Sequence, residues 1–339
     1  MRIAITYGVA VGSGLLFSFL HIPLAWILGP VTGLFLYKVL SHQETAQFPE
    51  ARNAAFSVLG IQIGLTFTAE TFSLVLPYFF PYTLLSMIMI AVSLVCAYGI
   101  ARRTALNYTT SLIGAAPGGL SAMMAVSDSF KGNTVLVTIF HTIRLLSVLF
   151  IVPFLASRWF EADGTSEAAD RAANGPLWTI AVYVVLFLVS YKVKDYIPAA
   201  LVIIPMLVVG GIQSAGILLY EWPTLIFYGA QVIIGVHLGH SITIEDLKAA
   251  GNYSFYYFGL ALMMIATGCL AGVILSAWTG MGTLTALLAL APGGLVEMSI
   301  TAGETGAEPS IVSSLQTIRL LTIVLFLPLL FKWLLPKLK

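Results

Sequence analysis

The pentapeptide Ala116-Pro117-Gly118-Gly119-Leu120 lies inside a long apolar stretch and returns 175 positions later as Ala291-Pro292-Gly293-Gly294-Leu295. A proline lacks the backbone N–H that a helix interior needs and clashes with the preceding turn, and a glycine pair adds backbone freedom. Each copy therefore predicts a helix that breaks within apolar sequence.

A second matching segment follows each break. Residues 142–146 and 317–321 both read Thr-Ile-Arg-Leu-Leu, and a proline follows each of them, at Pro153 and Pro328. These pairs keep the same offset of 175 positions. A fixed offset across proline, glycine and arginine positions indicates an internal duplication.

The duplication extends upstream of the breaks. Pro23 and Pro30 match Pro198 and Pro205 at the same offset, and an Ile-Gly pair at 63–64 matches one at 234–235 with a small gap. The repeat thus covers almost all of each half. We expect a first repeat at 1–156, a polar linker at 157–175 and a second repeat at 176–339.

The composition is that of a membrane protein. Of the 339 residues, 59% are hydrophobic and 9% are charged, and the mean hydropathy is +0.96. Soluble domains carry about 25% charged residues. A formal net charge of +1 without any run of like charges argues against a direct nucleic-acid partner. The sequence predicts an all-α polytopic protein whose surroundings are a lipid bilayer.

A bilayer-spanning helix needs about 20 mostly apolar residues. The first run follows Arg2 and precedes no small-x-small cleavage site, so we expect it to be retained as a span. The apolar runs lie near 3–20, 22–40, 53–69, 74–100, 105–127, 133–156, 177–191, 197–220, 223–240, 253–279, 281–302 and 309–334.

The distribution of basic residues favours a particular topology. If the fifth run of each half enters the membrane and returns, every Lys or Arg outside the membrane except Arg158 and Arg171 lies on the side of the N-terminus. If both runs cross, Lys131, Lys248 and others change sides. The positive-inside rule favours the first model. It predicts two inverted repeats of about five transmembrane helices plus a re-entrant or broken Pro-Gly-Gly helix each, with cytoplasmic termini.

Arg144 and Arg319 lie near the middle of the last run of each half. A charge at the bilayer centre costs about 2.5–3.5 kcal/mol on insertion scales, so each guanidinium needs a partner. The partner is a carboxylate, the free carbonyls of the broken helix, or a bound anion. A lock on the broken helix and direct contact with an anionic substrate are compatible roles, since repeats diverge.

The two halves differ in their acidic residues. Glu297 follows the second break, whereas the first half has Ala122 at the matching position. Glu297 is therefore either a fixed partner of Arg319 or a proton-carrying carboxylate, because burial raises the pKa of a carboxyl group. Arg144 has no such neighbour unless Asp128 reaches it, which makes Arg144 the more substrate-like cation.

The helix that begins after each break offers unpaired N–H groups and a dipole that favour an anion. Two such N-termini and two arginines that meet near the midplane predict an anion site. Its expected members are Arg144, Arg319, Pro117, Gly118, Gly119, Ser121, Pro292, Gly293, Gly294 and Ser299.

Other side chains suggest little chemistry. His141 stands one turn before Arg144, where the second half has Gln316, and is either a proton relay or a hydrogen-bond donor to a neighbouring helix. His237 and His240 have metal-ligand spacing but no third ligand nearby. The sequence therefore predicts no metal, no cofactor and no catalytic residue. The aromatic residues fit packing and interfacial belts.

These motifs resemble the AbrB family of bacterial inner-membrane proteins, a family also labelled ammonia monooxygenase. The resemblance rests on residues 23–30 and 198–205, on Gln231 to Gly235, on both Ala-Pro-Gly-Gly segments, and on Gln316 with Arg319. It covers nearly the whole chain. It implies tandem copies of one hydrophobic unit, an inner-membrane location, and a role in regulating gene expression that is indirect here.

The sequence therefore favours a secondary transporter for a small organic anion, with proton coupling through Glu297, Asp128 or His141. The alternative is a membrane regulator that affects gene expression without moving a solute. A membrane enzyme would need a ligand cluster or a nucleophile–base pair, and the sequence offers neither. Whether copies of the chain associate as a homo-oligomer stays open.

Overall fold

The computed structural model describes residues 2–118, 120–159, 175–241, 248 and 250–335. Within these ranges the regular structure is helical, with fourteen α-helices and a 3-10 turn at Leu177–Thr179. Gly119 and most of the expected linker lie outside them.

The described helices of the first half are α1 (Arg2–Phe19), α2 (Ala25–Ser41), α3 (Pro49–Gly64), α4 (Thr71–Arg103), α5 (Tyr108–Ala115), α6 (Leu120–Ser129) and α7 (Thr134–Trp159). Those of the second half are α8 (Ile180–Val193), α9 (Ala200–Ser214), α10 (Thr224–Ser241), α11 (Tyr253–Thr279), α12 (Thr283–Leu290), α13 (Leu295–Thr305) and α14 (Pro309–Leu334).

Every apolar run predicted from the sequence contains a helix. Five helices, α1, α4, α7, α11 and α14, are long and apolar enough to cross a bilayer, and α2 and α9 are shorter apolar helices. The chain is a multi-pass membrane protein. The run 197–220 extends well past its helix, because α9 ends at Ser214, where Gly216, with φ 81°, turns the chain away.

The chain divides into two compact units, and each unit takes segments from both halves. Unit 1 comprises Met1–Leu74, Pro153–Thr243 and Val296–Ser313, and unit 2 comprises Val75–Val152, Ile244–Leu295 and Ser314–Lys339.

Helices of unit 1 cross at glycines. A Cβ on Gly60 of α3 would lie 2.5 Å from the carbonyl oxygen of Val202 in α9, and a Cβ on Gly235 of α10 would lie 2.8 Å from that of Ile27 in α2. Gly60 and Gly235 are 175 positions apart, and so are Ile27 and Val202. The same contact is therefore made twice, each time between a helix of one half and a helix of the other.

The next turn of these helices repeats the relationship. A Cβ on Gly64 would lie 2.7 Å from Met206 O, and a Cβ on its counterpart Gly239 would lie 3.3 Å from Val31 Cα. The offset of 175 thus holds across α3 and α10. The small gap predicted from the Ile-Gly pairs is wrong, since these contacts match Gly64 with Gly239.

The helices α2 and α9 begin alike. Leu24 and Ala199, the residues before their first turns, both adopt left-handed backbone angles, with φ 52° and 54°. The N–H of Leu24 donates a hydrogen bond of 2.7 Å to Glu304 Oε2, so that one orphan donor at the start of α2 is satisfied.

Unit 2 holds the short helices α5 and α12 that precede the two breaks, together with the long helices α4 and α11. Asn107 Oδ1 accepts a hydrogen bond of 2.8 Å from Thr109 N and caps the start of α5. The helix α12 packs against α11 at Gly272, where a Cβ would lie 2.7 Å from Leu287 Cα. Small residues at such crossings let two backbones approach closely within a membrane protein.

Candidate functional site

The two Pro-Gly-Gly segments break their helices where the sequence predicts. The helix α5 ends at Ala115 and α6 begins at Leu120, while α12 ends at Leu290 and α13 begins at Leu295. An eight-residue helix such as α5 is only about 12 Å long. Its last carbonyls therefore fall within apolar surroundings, where each unpaired carbonyl costs several kcal/mol.

Arg144 of α7 satisfies the carbonyls at the first break. Its Nη1 donates to Ala116 O at 2.8 Å, and its Nη2 donates to Gly118 O at 3.2 Å. The positive charge also lies at the negative end of the α5 dipole. Carbonyls of the broken helix are thus partners of this guanidinium.

Arg319 of α14 does the same at the second break. Its Nη1 donates to Ala291 O at 2.6 Å and its Nη2 donates to Gly293 O at 2.8 Å. Gln316 Oε1 accepts a further hydrogen bond from Nη2. The acceptors of the two arginines are 175 positions apart, as the arginines are.

The residue one turn before each arginine also binds the short helix that precedes the break in the same half. His141 Nε2 lies 3.2 Å from Ile113 O, and Gln316 Nε2 donates to Leu288 O at 3.0 Å. The two carbonyls are again equivalent. His141 and Gln316 therefore have the same neighbour in each repeat, although their side chains differ.

Two tyrosines connect the halves within unit 2. Tyr82 of α4 donates its hydroxyl to Ala289 O of α12 at 3.1 Å, and Tyr257 of α11 donates to Ser111 O of α5 at 2.9 Å. Tyr82 and Tyr257 are 175 positions apart. Each half thus supports the short helix of the other half with the same residue.

Tyr82 and Tyr257 lie on the long helices α4 and α11, and these two helices run antiparallel. Cys96 Sγ lies 3.4 Å from Met263 Sδ, whereas a Cβ on Gly268 would lie 3.3 Å from Met89 Cε. Later positions of α11 therefore contact earlier positions of α4. Ser93, the counterpart of Gly268, donates to Ala115 O at the end of α5.

The two arginines differ in their surroundings. Arg319 is buried, with 8% of its surface exposed, whereas Arg144 is partly exposed. The Nε atom of Arg144 is buried and has no acceptor among the described residues. The charge of Arg319 also acts unfavourably on Arg144, so unit 2 holds two guanidinium groups that repel each other.

Asp128 has a partner of its own. Its side chain is exposed, and Oδ1 accepts a hydrogen bond of 2.5 Å from Thr134 Oγ1. The hydrogen bonds described for Arg144 go to the carbonyl oxygens of Ala116 and Gly118, so the carboxylate of Asp128 is not among those acceptors.

Glu297 lies in the first turn of α13 and is 8% exposed. Its backbone carbonyl accepts a hydrogen bond of 2.8 Å from Thr301 Oγ1. A carboxylate in the first turn also interacts favourably with the helix dipole. Ser299, on the same helix, is buried.

The remaining residues that the sequence assigns to the site lie at the two breaks, and some of them lie outside the described part of the structure. Pro292 is buried beside Gly268 of α11, while Pro117 and Gly294 are partly exposed. Gly119 and the side chain of Ser121 lie outside the described part of the structure.

Metal ligands do not cluster in the described residues, where no group of three or more His, Cys, Asp or Glu side chains converges. His237 Nδ1 lies 3.0 Å from Gln47 Oε1, and His240 Nδ1 lies 2.8 Å from Thr45 Oγ1. Both histidines thus bind the connection between α2 and α3.

The family described as "Transition state regulatory protein AbrB" matches residues 26–335, which is nearly the whole chain. The chain belongs to the AbrB family. The family match includes both breaks, both arginines and both tyrosines.

Two relatives of this AbrB-family chain have full-length similarity. A protein of Escherichia coli (strain K12) named "Putative regulator AbrB" is 26% identical over 321 residues, which cover 91% of this chain and 89% of that protein. A protein of Bacillus subtilis (strain 168) named "Uncharacterized protein YhjN" is 23% identical over 344 residues, covering 94% and 90%.

Sequence reasoning missed the two tyrosines and Ser93. The aromatic residues were expected to pack or to lie in interfacial belts, yet Tyr82 and Tyr257 bind backbone carbonyls. A search for identical residues at the offset of 175 positions would have found the tyrosine pair. No such signal marks Ser93, because its counterpart is Gly268.

Proposed function

We propose that this AbrB-family protein is a secondary transporter for a small organic anion and that its two halves are inverted repeats. The contacts of Tyr82 and Tyr257 support a two-fold relation between the halves, because each tyrosine binds the short helix of the other half, as a two-fold interface would require, although the acceptors Ala289 and Ser111 are one turn out of register. The glycine contacts of unit 1 have the same property.

Antiparallel packing of equivalent helices supports the inversion. The helices α4 and α11 occupy matching places in the two halves and run in opposite directions. Similarly, Gln47 just before α3 binds His237 near the end of the equivalent helix α10. Inverted repeats with broken helices are the plan of many secondary transporters.

The charge in unit 2 supports an anion as the solute. Arg144 and Arg319 bring two guanidinium groups into one unit, and repulsion between them falls when an anion binds nearby. Proton coupling through His141 or Glu297 fits their burial, whereas the exposed Asp128 is less suited to a proton relay within the membrane.

The observation that carries the proposal is the pair of broken helices held by matching arginines and exchanged tyrosines. The test is uptake of radiolabelled small organic anions by proteoliposomes, compared with Arg144→Gln and with protein-free liposomes. We expect accumulation that falls at least tenfold in the variant, while the variant still inserts as a monodisperse protein. Failure of every small organic anion to accumulate would overturn the proposal.

A regulatory function is the alternative, and the name of the Escherichia coli relative favours it. A regulator of this architecture would sense a solute without moving it. In that case Arg144→Gln would change gene expression in cells while no gradient forms in proteoliposomes. The distribution of basic residues supports cytoplasmic termini and a location in the bacterial inner membrane under either function.

A further inference from the structure

Gln231 of α10 lies in the interior of unit 1 with its amide group unused. None of its surface is exposed, and neither Oε1 nor Nε2 has a hydrogen-bond partner among the described residues. A buried polar atom without a partner costs free energy, and here both ends of one amide are in that state. The amide therefore calls for a polar group that the described part of the chain does not supply.

The neighbours of Gln231 on α10 place it against the start of α2. Tyr228, one turn earlier, stacks on Trp26 with ring centroids 5.1 Å apart. Gly235, one turn later, is so close to α2 that a Cβ would lie 2.8 Å from Ile27 O. Residues three or four positions apart share one face of a helix. Gln231 therefore faces the first turns of α2.

The fold does not require a polar side chain at this place. Phe56 of α3 stands 175 positions before Gln231, and it lies one turn before Gly60 as Gln231 lies one turn before Gly235. These two glycines make matching contacts with α9 and α2. An apolar side chain thus occupies the equivalent position in the first half, so the amide of Gln231 serves something other than packing.

A carboxylate lies at the start of the same helix. Leu24, the residue before the first turn of α2, donates its N–H to Glu304 Oε2 at 2.7 Å, and Ser129 stands at the position equivalent to Glu304. A carboxylate and an amide that only the second half has are therefore both brought to the start of α2, within unit 1. Glu304 is exposed and Gln231 is buried, so polar groups reach from the surface to the interior here.

The chemistry of a primary amide indicates which group would satisfy it. The amide of Gln231 presents a donor and an acceptor side by side in one plane. A protonated carboxyl group presents the complementary acceptor and donor, so it makes two hydrogen bonds with the amide at once. An ionised carboxylate only accepts, and it would leave Gln231 Oε1 unpaired.

We propose that Gln231 binds the carboxyl group of a small organic acid in its protonated form. The C=O of the acid accepts from Nε2 and its O–H donates to Oε1, with no change in covalent bonds. The inference rests on the proposed function, because it names the form in which unit 1 of the transporter binds its solute. The two arginines of unit 2 suit the ionised form, so the two units would bind the two protonation states of one solute.

Acetamide is the first probe, because it has the donor and acceptor of a protonated acid at every pH and no charge for the arginines. We expect it to raise the unfolding temperature of the purified full-length protein equally at about pH 5 and about pH 8, since neither acetamide nor the Gln231 amide titrates there. Failure of acetamide to stabilise the protein at either pH would overturn the proposal.

A matched pair of variants shows whether Gln231 is responsible. Gln231→Met keeps the length of the side chain and removes both polar atoms, and we expect acetamide to bind at least tenfold more weakly. The unfolding temperature without ligand should stay the same or rise, because an unpaired buried amide is gone. Gln213→Met on α9 is the control, since Gln213 also has an unpaired Oε1 and should be dispensable. Unchanged affinity in Gln231→Met, or an equal loss in the control, would overturn the proposal.

Acetate tests the protonation state. The part of its stabilising effect that Gln231→Met removes should be present at about pH 5 and at least tenfold weaker at about pH 8, because only the protonated fraction of the acid binds. An effect of equal strength at both pH values would show that Gln231 binds the ionised form, against the inference.

Transport assays separate this inference from the proposed function. If acetamide and acetate bind in this pattern but organic anions never accumulate in proteoliposomes, the transport function fails and the Gln231 site stands. If organic anions accumulate equally well with the wild type and Gln231→Met, the site fails and the transport function stands.

Discussion

Tyr82 and Tyr257 stand 175 residues apart, and each donates its hydroxyl to a short helix of the opposite half. Tyr82 binds Ala289 O in α12, and Tyr257 binds Ser111 O in α5. The exchange means that neither broken helix is supported by its own half alone.

Removal of either hydroxyl should destabilise unit 2. In Tyr82→Phe, the carbonyl of Ala289 loses one of its two buried donors and keeps Gln316 Nε2, and we expect a loss of about 1 kcal/mol, the usual net worth of one hydrogen bond. Tyr257→Phe should cost more, because its hydroxyl also lies 2.7 Å from Ser111 Oγ. Unfolding free energies measured in bicelles check this order, and an equal or reversed order would contradict it.

Substitution of the crossing glycines should destabilise unit 1. A Cβ at Gly60 meets Val202 O at 2.5 Å and one at Gly235 meets Ile27 O at 2.8 Å, so Gly60→Ala and Gly235→Ala should each cost about 1–3 kcal/mol. Gly211→Ala on α9 is the control, since nothing lies within 4 Å of the added carbon. Thermal unfolding in detergent measures all three, and a loss in the control as large as in the other two would contradict the packing argument.

A cross-link should form between the two long helices of unit 2. Cys96 Sγ and Met263 Sδ are 3.4 Å apart, so a cysteine in Met263→Cys should be oxidised to a disulfide with Cys96 in a Cys269→Ala background. With a protease site inserted between the halves, the cleaved fragments should stay together until reduced. Cys96→Ala provides the control, and fragments that separate in the oxidised double variant would argue against antiparallel packing.

The two arginines should differ in their structural importance. Arg319 is buried and binds two carbonyls and Gln316, so Arg319→Lys should cost about 2–4 kcal/mol through lost hydrogen bonds to a charged group. Arg144→Lys, at a partly exposed position with two carbonyl acceptors, should cost less. Chemical denaturation in bicelles tests this, and a larger loss for Arg144→Lys would be contrary to expectation.

The residues before the arginines should be interchangeable in their structural role. His141→Gln places the side chain of the second repeat into the first, where a Gln Nε2 donates to Ile113 O as Gln316 Nε2 donates to Leu288 O. We expect stability to change by less than about 1 kcal/mol, the scale of one hydrogen bond. His141→Ala should be clearly less stable, and a variant pair with equal stabilities would remove the structural role from His141.

The sequence predicts the helices well because apolar length is the main signal for a membrane helix. The run 253–279 coincides with α11, and each Pro-Gly-Gly segment breaks its helix. The end of α9 was missed, since apolar residues continue past Gly216 and composition does not report the backbone turn there.

The partners of the arginines were less predictable. Backbone carbonyls are present at every residue, so the sequence does not say that Arg144 binds Ala116 O and Gly118 O rather than a carboxylate. The small gap predicted between the Ile-Gly pairs is wrong for a similar reason. Residue types alone do not say which glycines are equivalent, whereas the contacts of Gly60 and Gly235 do.

The exchanged contacts have a consequence for the origin of the chain. A polypeptide of half this length would leave the tyrosine, the short helix and the crossing glycines without the surfaces they need, and a second copy in the opposite orientation would provide them. If the halves are inverted repeats, as proposed, such an ancestor would have been a homodimer whose two copies inserted in opposite orientations. A gene fusion would then have allowed the two copies to diverge, and the difference between Ala122 and Glu297 is one example.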